Sequence, residues 1–80
     1  MRLDKYLKVS RIIKRRSVAK EVIDNGFVFI NEKKAKASSE IKAGGTISLL
    51  YRDGKKKYIV KNIFEFATEE KAKSMYEEIN

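Results

Sequence analysis

Basic side chains are concentrated in the first twenty residues of the sequence. This stretch holds eight Lys and Arg residues against a single acid, Asp4. The eight are Arg2, Lys5, Lys8, Arg11, Lys14, Arg15, Arg16 and Lys20. Arginine binds phosphate through two parallel N–H donors, and lysine supplies a compact positive charge. These residue types and their spacing indicate a surface that binds a polyanion.

The charge of the whole chain supports this interpretation. The 80 residues include 19 basic and 11 acidic side chains, which gives a formal net charge of +8. Residues 65–80 oppose the N-terminal charge, with five acids and two bases. A small domain with its positive charge on one side is typical of nucleic-acid binding. The alternative is a lysine-rich surface that serves only solubility.

The residue types that the chain lacks argue against catalysis and metal binding. The sequence contains no His and no Cys, which removes disulfides, thiolate zinc sites and a histidine general base. We therefore expect no enzyme activity, no catalytic residue, no metal and no cofactor. A protein-interaction adaptor that uses Phe27 and Phe29, or the acidic tail, is the competing class of function.

No segment of the sequence is typical of a membrane span or a secretory signal. The apolar runs are all far shorter than the roughly 20 residues that cross a bilayer. The basic N-terminus is not followed by the hydrophobic region of a signal peptide. We expect a cytoplasmic protein without a membrane partner, and a monomer.

The basic residues are predicted to lie on a short N-terminal helix and the connection after it. Apolar residues spaced by three and four between Arg2 and Ile13 predict an amphipathic helix. Asp4 falls in the first turn, where a carboxylate suits the helix dipole and can hold a basic neighbour such as Lys8. This role is favoured over one in which Asp4 orients Arg2 or Arg16. The run Lys14-Arg15-Arg16 breaks the apolar period and predicts the connection.

A second helix is predicted to follow that connection at once. Ser17 is a suitable N-cap, and Gly26 accepts the left-handed conformation that ends a helix near residue 24 or 25. The backbone amides at the start of this helix lie beside Arg15 and Arg16 and can bind a phosphate.

The rest of the chain predicts a small sheet and a final helix, and thus an α+β fold within one domain over residues 1–80. Predicted strands cover residues 27–30, 46–51 and 56–63, with a brief return strand at 34–36. Thr68 is the expected N-cap of a helix that reaches Ile79. Phe27 and Phe29 are predicted to be covered by this helix rather than to stack on bases. Tyr6 is predicted to be in the core.

Several spaced motifs together resemble the S-four-type RNA-binding domain of ribosomal proteins. The matching motifs are Arg2-Leu3-Asp4-Lys5-Tyr6-Leu7, then Lys14-Arg15-Arg16-Ser17 with Ala19, then Gly26-Phe27-Val28-Phe29-Ile30-Asn31, and Ala43-Gly44-Gly45. The family commonly has Gly-Asp where this chain has Gly44-Gly45. The resemblance covers residues 1–51, which leaves 52–67 as a hairpin return and connection and 68–80 as the C-terminal helix. It implies two short N-terminal helices packed on a small, mostly antiparallel sheet, the alpha-L motif.

The resemblance extends to the free-standing, ribosome-associated subgroup of this family, which is RqcP-like or heat-shock-protein-fifteen-like. It implies binding to rRNA of the large ribosomal subunit and to peptidyl-tRNA, with an RqcH-type quality-control protein as a partner. In the first branch it implies support for alanine tailing of stalled chains, and in the second the recycling of stalled large subunits. The predicted RNA-binding residues are Arg2, Asp4, Lys5, Lys8, Arg11, Lys14, Arg15, Arg16, Ser17, Lys20 and Lys36.

Overall fold

The structure, a computed structural model, describes residues 1–79 and consists of helices packed on one antiparallel sheet. The sheet has five strands in the order β2-β1-β3-β4-β5. The elements are α1 (Leu3–Val9), α2 (Arg16–Asp24), β1 (Val28–Ile30), β2 (Lys33–Lys34), β3 (Thr46–Tyr51), β4 (Gly54–Val60), α3 (Glu69–Lys73) and β5 (Tyr76–Ile79). The predicted α+β class, with two short helices ahead of a mainly antiparallel sheet, is confirmed. Among residues 1–79, no helix is long and apolar enough to cross a membrane.

Helix α1 forms because its apolar residues fall on one side and pack into the core. Leu3, Tyr6 and Leu7 have no exposed surface, and Tyr6 is in the core as predicted. The helix ends at Val9, so the predicted extension to Ile13 is wrong. The reason is the backbone of Arg11, which has a φ of 64° and cannot continue a right-handed helix.

Helix α2 begins two residues earlier than the sequence predicted. Arg15 occupies the N-cap position, so the prediction of Ser17 as the cap is wrong, and Ser17 lies in the first turn. No side chain among residues 1–79 caps this helix. The predicted end is confirmed, because Gly26 has a φ of 84° and its N–H donates to the carbonyl of Ile23.

The sheet supplies the other half of the core. Val28, Ile47 and Leu49 are buried against the apolar faces of α1 and α2. Strands β3 and β4 form a long hairpin that begins its return at Gly54 and ends at Val60, rather than covering residues 56–63. The return strand after β1 is Lys33–Lys34 rather than residues 34–36.

The C-terminal segment differs most from the prediction. Thr68 is the N-cap, as predicted, and its hydroxyl accepts the N–H of Lys71 at 3.2 Å. The helix ends at Lys73, however, and the continuation to Ile79 is wrong, because Tyr76–Ile79 forms a strand paired with β4. This pairing satisfies the edge of β4 that would otherwise be open. Residue 80 of the predicted helix lies outside the described residues.

The environments of Phe27, just before β1, and Phe29, within it, also differ from expectation. Helix α3 packs on β5, at the opposite edge of the sheet from the β2-β1 edge. Phe27 is 46% exposed and borders an apolar groove with Ile12 and Leu50, so the prediction that the C-terminal helix covers it is wrong. Phe29 is half-buried.

Candidate nucleic-acid interface

A buried carboxylate joins two arginines at the N-terminal ends of α1 and α2. Asp4 is only 2% exposed. Nε and Nη2 of Arg2 donate to its two oxygens, each at 3.2 Å. Nη2 of Arg16 donates to Oδ1 at 3.4 Å, and the N–H of Lys5 donates to the same oxygen at 2.8 Å. Asp4 therefore contacts Arg2 and Arg16, and the predicted pairing with Lys8 is not the one the structure has.

The same contacts keep Asp4 ionised. Burial by itself raises the pKa of the Asp4 carboxyl, but the hydrogen bonds from Arg2, from the Lys5 N–H and from Arg16 outweigh it, so the pKa lies below its usual value. The side chains of Arg2 and Arg16 remain 52% and 48% exposed. A guanidinium carries five N–H donors, so each arginine keeps donors that face solvent while Asp4 holds it in place.

The other predicted RNA-binding residues lie on α1, on the connection after it and at the start of α2. Arg2, at the N-cap of α1, is followed at a spacing of three by Lys5 and Lys8 within the helix. Arg11, Lys14 and Arg15 lie on the α1–α2 connection, where all three are exposed. Arg16, Ser17 and Lys20 belong to the first half of α2. The structure thus brings the predicted cluster to adjoining elements.

Lys36 reaches the same region from a distant part of the sequence. Its N–H donates to Oγ of Ser39 at 2.9 Å, which closes a turn. The carbonyls of Ser39 and Ala37 accept the N–H groups of Leu3 and Asp4, at 2.7 and 3.2 Å. These bonds seat the 36–40 loop on the start of α1, beside the residues that Asp4 organises.

Lys5 has a partner that the sequence did not indicate. Its ammonium forms an ion pair with Glu65, and this hydrogen bond and charge lower the pKa of the Glu65 carboxyl. The same ammonium lies 5.7 Å from the centre of the Phe66 ring. The segment after β4 therefore lies against α1, a long-range contact for which the sequence offers no periodic signal.

This contact creates a cleft along the basic surface. The cleft has a volume of about 420 Å³. Its lining residues are Lys8, Val9, Arg11, Lys14, Phe66 and Ala67. Three of the predicted RNA-binding residues thus line an open cleft, which the aromatic ring of Phe66 also lines. Among residues 1–79, no group of three or more His, Cys, Asp or Glu side chains is placed to hold a metal ion.

A known protein family matches the part of the chain that contains this basic surface. The S4 domain, the family that the sequence motifs resemble, matches residues 1–47, more than half of the chain. The matched range includes the Asp4 cluster, the first half of α2 and the 36–40 loop. The chain belongs to the S4 domain family, and within it to the group of free-standing members described next.

Two bacterial relatives of this chain are small proteins of similar length. It is 45% identical to the RQC P-site tRNA stabilizing factor of Bacillus subtilis (strain 168), over 95% of this chain and 88% of the relative. It is 48% identical to the protein of the same name from Streptococcus pneumoniae (strain ATCC BAA-255 / R6), over 100% of this chain and 91% of the relative. Heat Shock Protein 15 of Vibrio cholerae has a similar solved structure, with a TM-score of 0.87, 33% identity and coverage of 99% and 81% of the two chains. The predicted subgroup is confirmed.

Proposed function

We propose that this protein binds the large ribosomal subunit while that subunit still carries peptidyl-tRNA, and that it stabilises the tRNA in the P site during ribosome-associated quality control. The observation that carries the proposal is the Asp4 cluster, which fixes Arg2 and Arg16 from two helices side by side. The names of the relatives at 45% and 48% identity support the assignment to P-site tRNA.

The cluster suits the phosphate backbone of structured RNA. Arg2 and Arg16 are held by a buried anion, so little side-chain freedom is lost when they bind phosphate. Arg15 and the uncapped first turn of α2 add further donors beside them. Folded RNA is recognised largely through shape, phosphate and 2′-OH contacts, and this surface supplies charge and rigid donors for such contacts.

The protein acts by binding and not by catalysis in this proposal, and it acts in the cytoplasm, where ribosomes are. Its surface contacts rRNA and the tRNA together. The protein therefore bridges the two RNAs and keeps the tRNA bound to the subunit. A tRNA retained in this way allows an RqcH-type protein to continue adding alanine to the stalled chain. Recycling of stalled large subunits is the alternative role for the same binding surface.

The experiment is sedimentation of a tagged copy from lysate, with rRNA and peptidyl-tRNA probed in each gradient fraction. We expect the wild type to travel with free large subunits that carry peptidyl-tRNA, and the Arg16→Glu variant to stay at the top. Lys57→Glu is the control, because Lys57 lies on β4 and pairs with Glu32 at 2.9 Å. The proposal is wrong if the wild type also stays at the top at moderate salt, or if both variants lose binding equally.

A further inference from the structure

The aromatic side chain of Phe66 is exposed to solvent in the isolated protein. It is 87% exposed, whereas a phenylalanine normally stabilises a fold by being buried. Phe64, two residues earlier, packs against the core and has the ammonium of Lys71 5.4 Å from the centre of its ring. The two rings therefore have different environments, and packing does not account for a phenylalanine at position 66.

The backbone around Phe66 is held on both sides. Before it, Nδ2 of Asn62 donates to the carbonyl of Ser74 at 2.8 Å, and Glu65 is paired with Lys5. After it, Thr68 caps α3. The ring is thus displayed from an anchored segment, which lowers the entropy that binding would cost.

The surroundings of the ring identify the kind of ligand that fits. Lys8, Arg11 and Lys14 line the cleft with Phe66, and they supply positive charge to a ligand that carries phosphate. Val9 and Ala67 give the cleft apolar surface. The carboxylate of Glu65 is bound by Lys5, which offsets its repulsion of an anion. A flat apolar ring beside several cations is the arrangement by which proteins bind unpaired nucleotides.

We propose that the cleft between α1 and the 61–67 segment is a binding site for one unpaired nucleotide, whose base stacks on Phe66 while Lys8, Arg11 and Lys14 bind the adjoining phosphates. The site rests on the proposed function and extends it, because it adds a base contact to a surface that otherwise binds the RNA backbone. At about 420 Å³ the cleft is within the size range of small-ligand sites, roughly 300–1,000 Å³.

The test is the affinity for purified large ribosomal subunits that carry peptidyl-tRNA. Phe66→Leu keeps apolar volume and removes the ring, and we expect it to bind about 5- to 150-fold more weakly, which is the usual effect of losing one stacked base. Phe66→Trp keeps a stacking face and should bind as the wild type does. Tyr51→Leu is the matched control, because Tyr51 is also exposed, with Lys56 5.6 Å from its ring centre, and it does not line the cleft.

The salt dependence separates stacking from charge. Stacking releases no counterions, so Phe66→Leu should leave the slope of log K against log salt unchanged, whereas Lys14→Gln should reduce its magnitude by about 0.7–0.9. A photoreactive benzoylphenylalanine at position 66 should crosslink to one nucleotide or to immediate neighbours. Crosslinking to a ribosomal protein instead, or equal losses from Phe66→Leu and Tyr51→Leu, would overturn the proposed site.

Arg16→Glu, measured in parallel, distinguishes the two proposals. If Arg16→Glu abolishes binding while Phe66→Leu binds as tightly as the wild type, the nucleotide site is wrong and the proposed function stands. If the wild type itself does not bind these subunits, the proposed function is wrong, and the nucleotide site that rests on it is wrong as well.

Discussion

The hydroxyl of Tyr6 donates a hydrogen bond of 2.6 Å to the carbonyl of Met75. This bond joins the centre of α1 to the residue just before β5, 69 positions away in the sequence. Both residues are completely buried. Burial raises the pKa of the Tyr6 hydroxyl, so it remains a donor well above neutral pH. The helix that carries Asp4 and Lys5, and that Arg2 precedes as N-cap, is therefore connected to the C-terminal part of the chain through the core.

Removal of this hydroxyl should lower stability without touching the basic surface. We expect Tyr6→Phe to reduce the free energy of unfolding by about 0.5–1.5 kcal/mol, because the ring stays buried and one hydrogen bond is lost. The carbonyl of Met75 still accepts the N–H groups of Lys61 and Asn62, which limits the loss. Urea denaturation measures the change. Phe66→Leu, at a position that is 87% exposed, is the control, and equal losses from the two variants would contradict the role of the bond.

The N-terminal half of the fold was predictable because its signals are local. The spacing of Leu3, Tyr6 and Leu7 specifies a helical face, and Gly26 specifies where α2 ends. The strand at Tyr76–Ile79 was not predictable, because local sequence continues the helical pattern of α3 there. Its conformation depends on pairing with the edge of β4, and a pairing between distant segments leaves no periodic signal in either one.

Parts of the candidate site were likewise predictable from local sequence, and other parts depend on contacts between distant segments. The basic cluster was visible as composition, and its placement on α1, the connection and α2 followed from helical spacing. The predicted partner of Asp4 was wrong, because helical spacing indicated Lys8. In the structure the α1–α2 connection folds back and brings Arg16 to the carboxylate. The contact of Phe66 with Lys5 depends on the path of the 61–67 segment, which has no regular secondary structure.

Asp4→Asn removes the charge of Asp4 and keeps nearly the same shape, so it tests how the charge affects RNA binding. If charge alone governed binding, the variant would bind RNA more tightly, because the net charge rises by one unit. We expect the opposite, a loss of about tenfold or more, because Arg2 and Arg16 lose charged hydrogen bonds that are typically worth about 1.5–3 kcal/mol. The measurement is the affinity for large ribosomal subunits at fixed salt. Affinity equal to or above that of the wild type would show that Asp4 does not orient the arginines for binding.

Acid should remove the stabilisation that Asp4 provides. The pKa of this carboxyl is lowered in the folded protein, so its contribution is present above the unfolded pKa of about 3.9 and is lost as the pH falls toward the folded value. Urea midpoints between pH 7 and pH 2 should therefore fall more steeply for the wild type than for Asp4→Asn. Glu32 and Glu65, whose carboxyl pKa values are also lowered, are present in both proteins and cancel in the comparison. Parallel curves would contradict the prediction.

The number of phosphates bound should be readable from the salt dependence of affinity. If Arg2, Arg15, Arg16 and two of the lysines each bind one phosphate, log K should fall against log salt with a slope of about −3.5 to −4.5. Arg15 is exposed and forms no ion pair among the described residues, so Arg15→Gln should remove about 0.7–0.9 from the magnitude of that slope without loss of stability. Lys57→Gln on β4 should leave the slope unchanged.

The measurement is the dissociation constant for large subunits across several KCl concentrations. Equal changes in slope from Arg15→Gln and Lys57→Gln would mean that RNA binding is spread over the whole basic surface, instead of being organised around the Asp4 cluster.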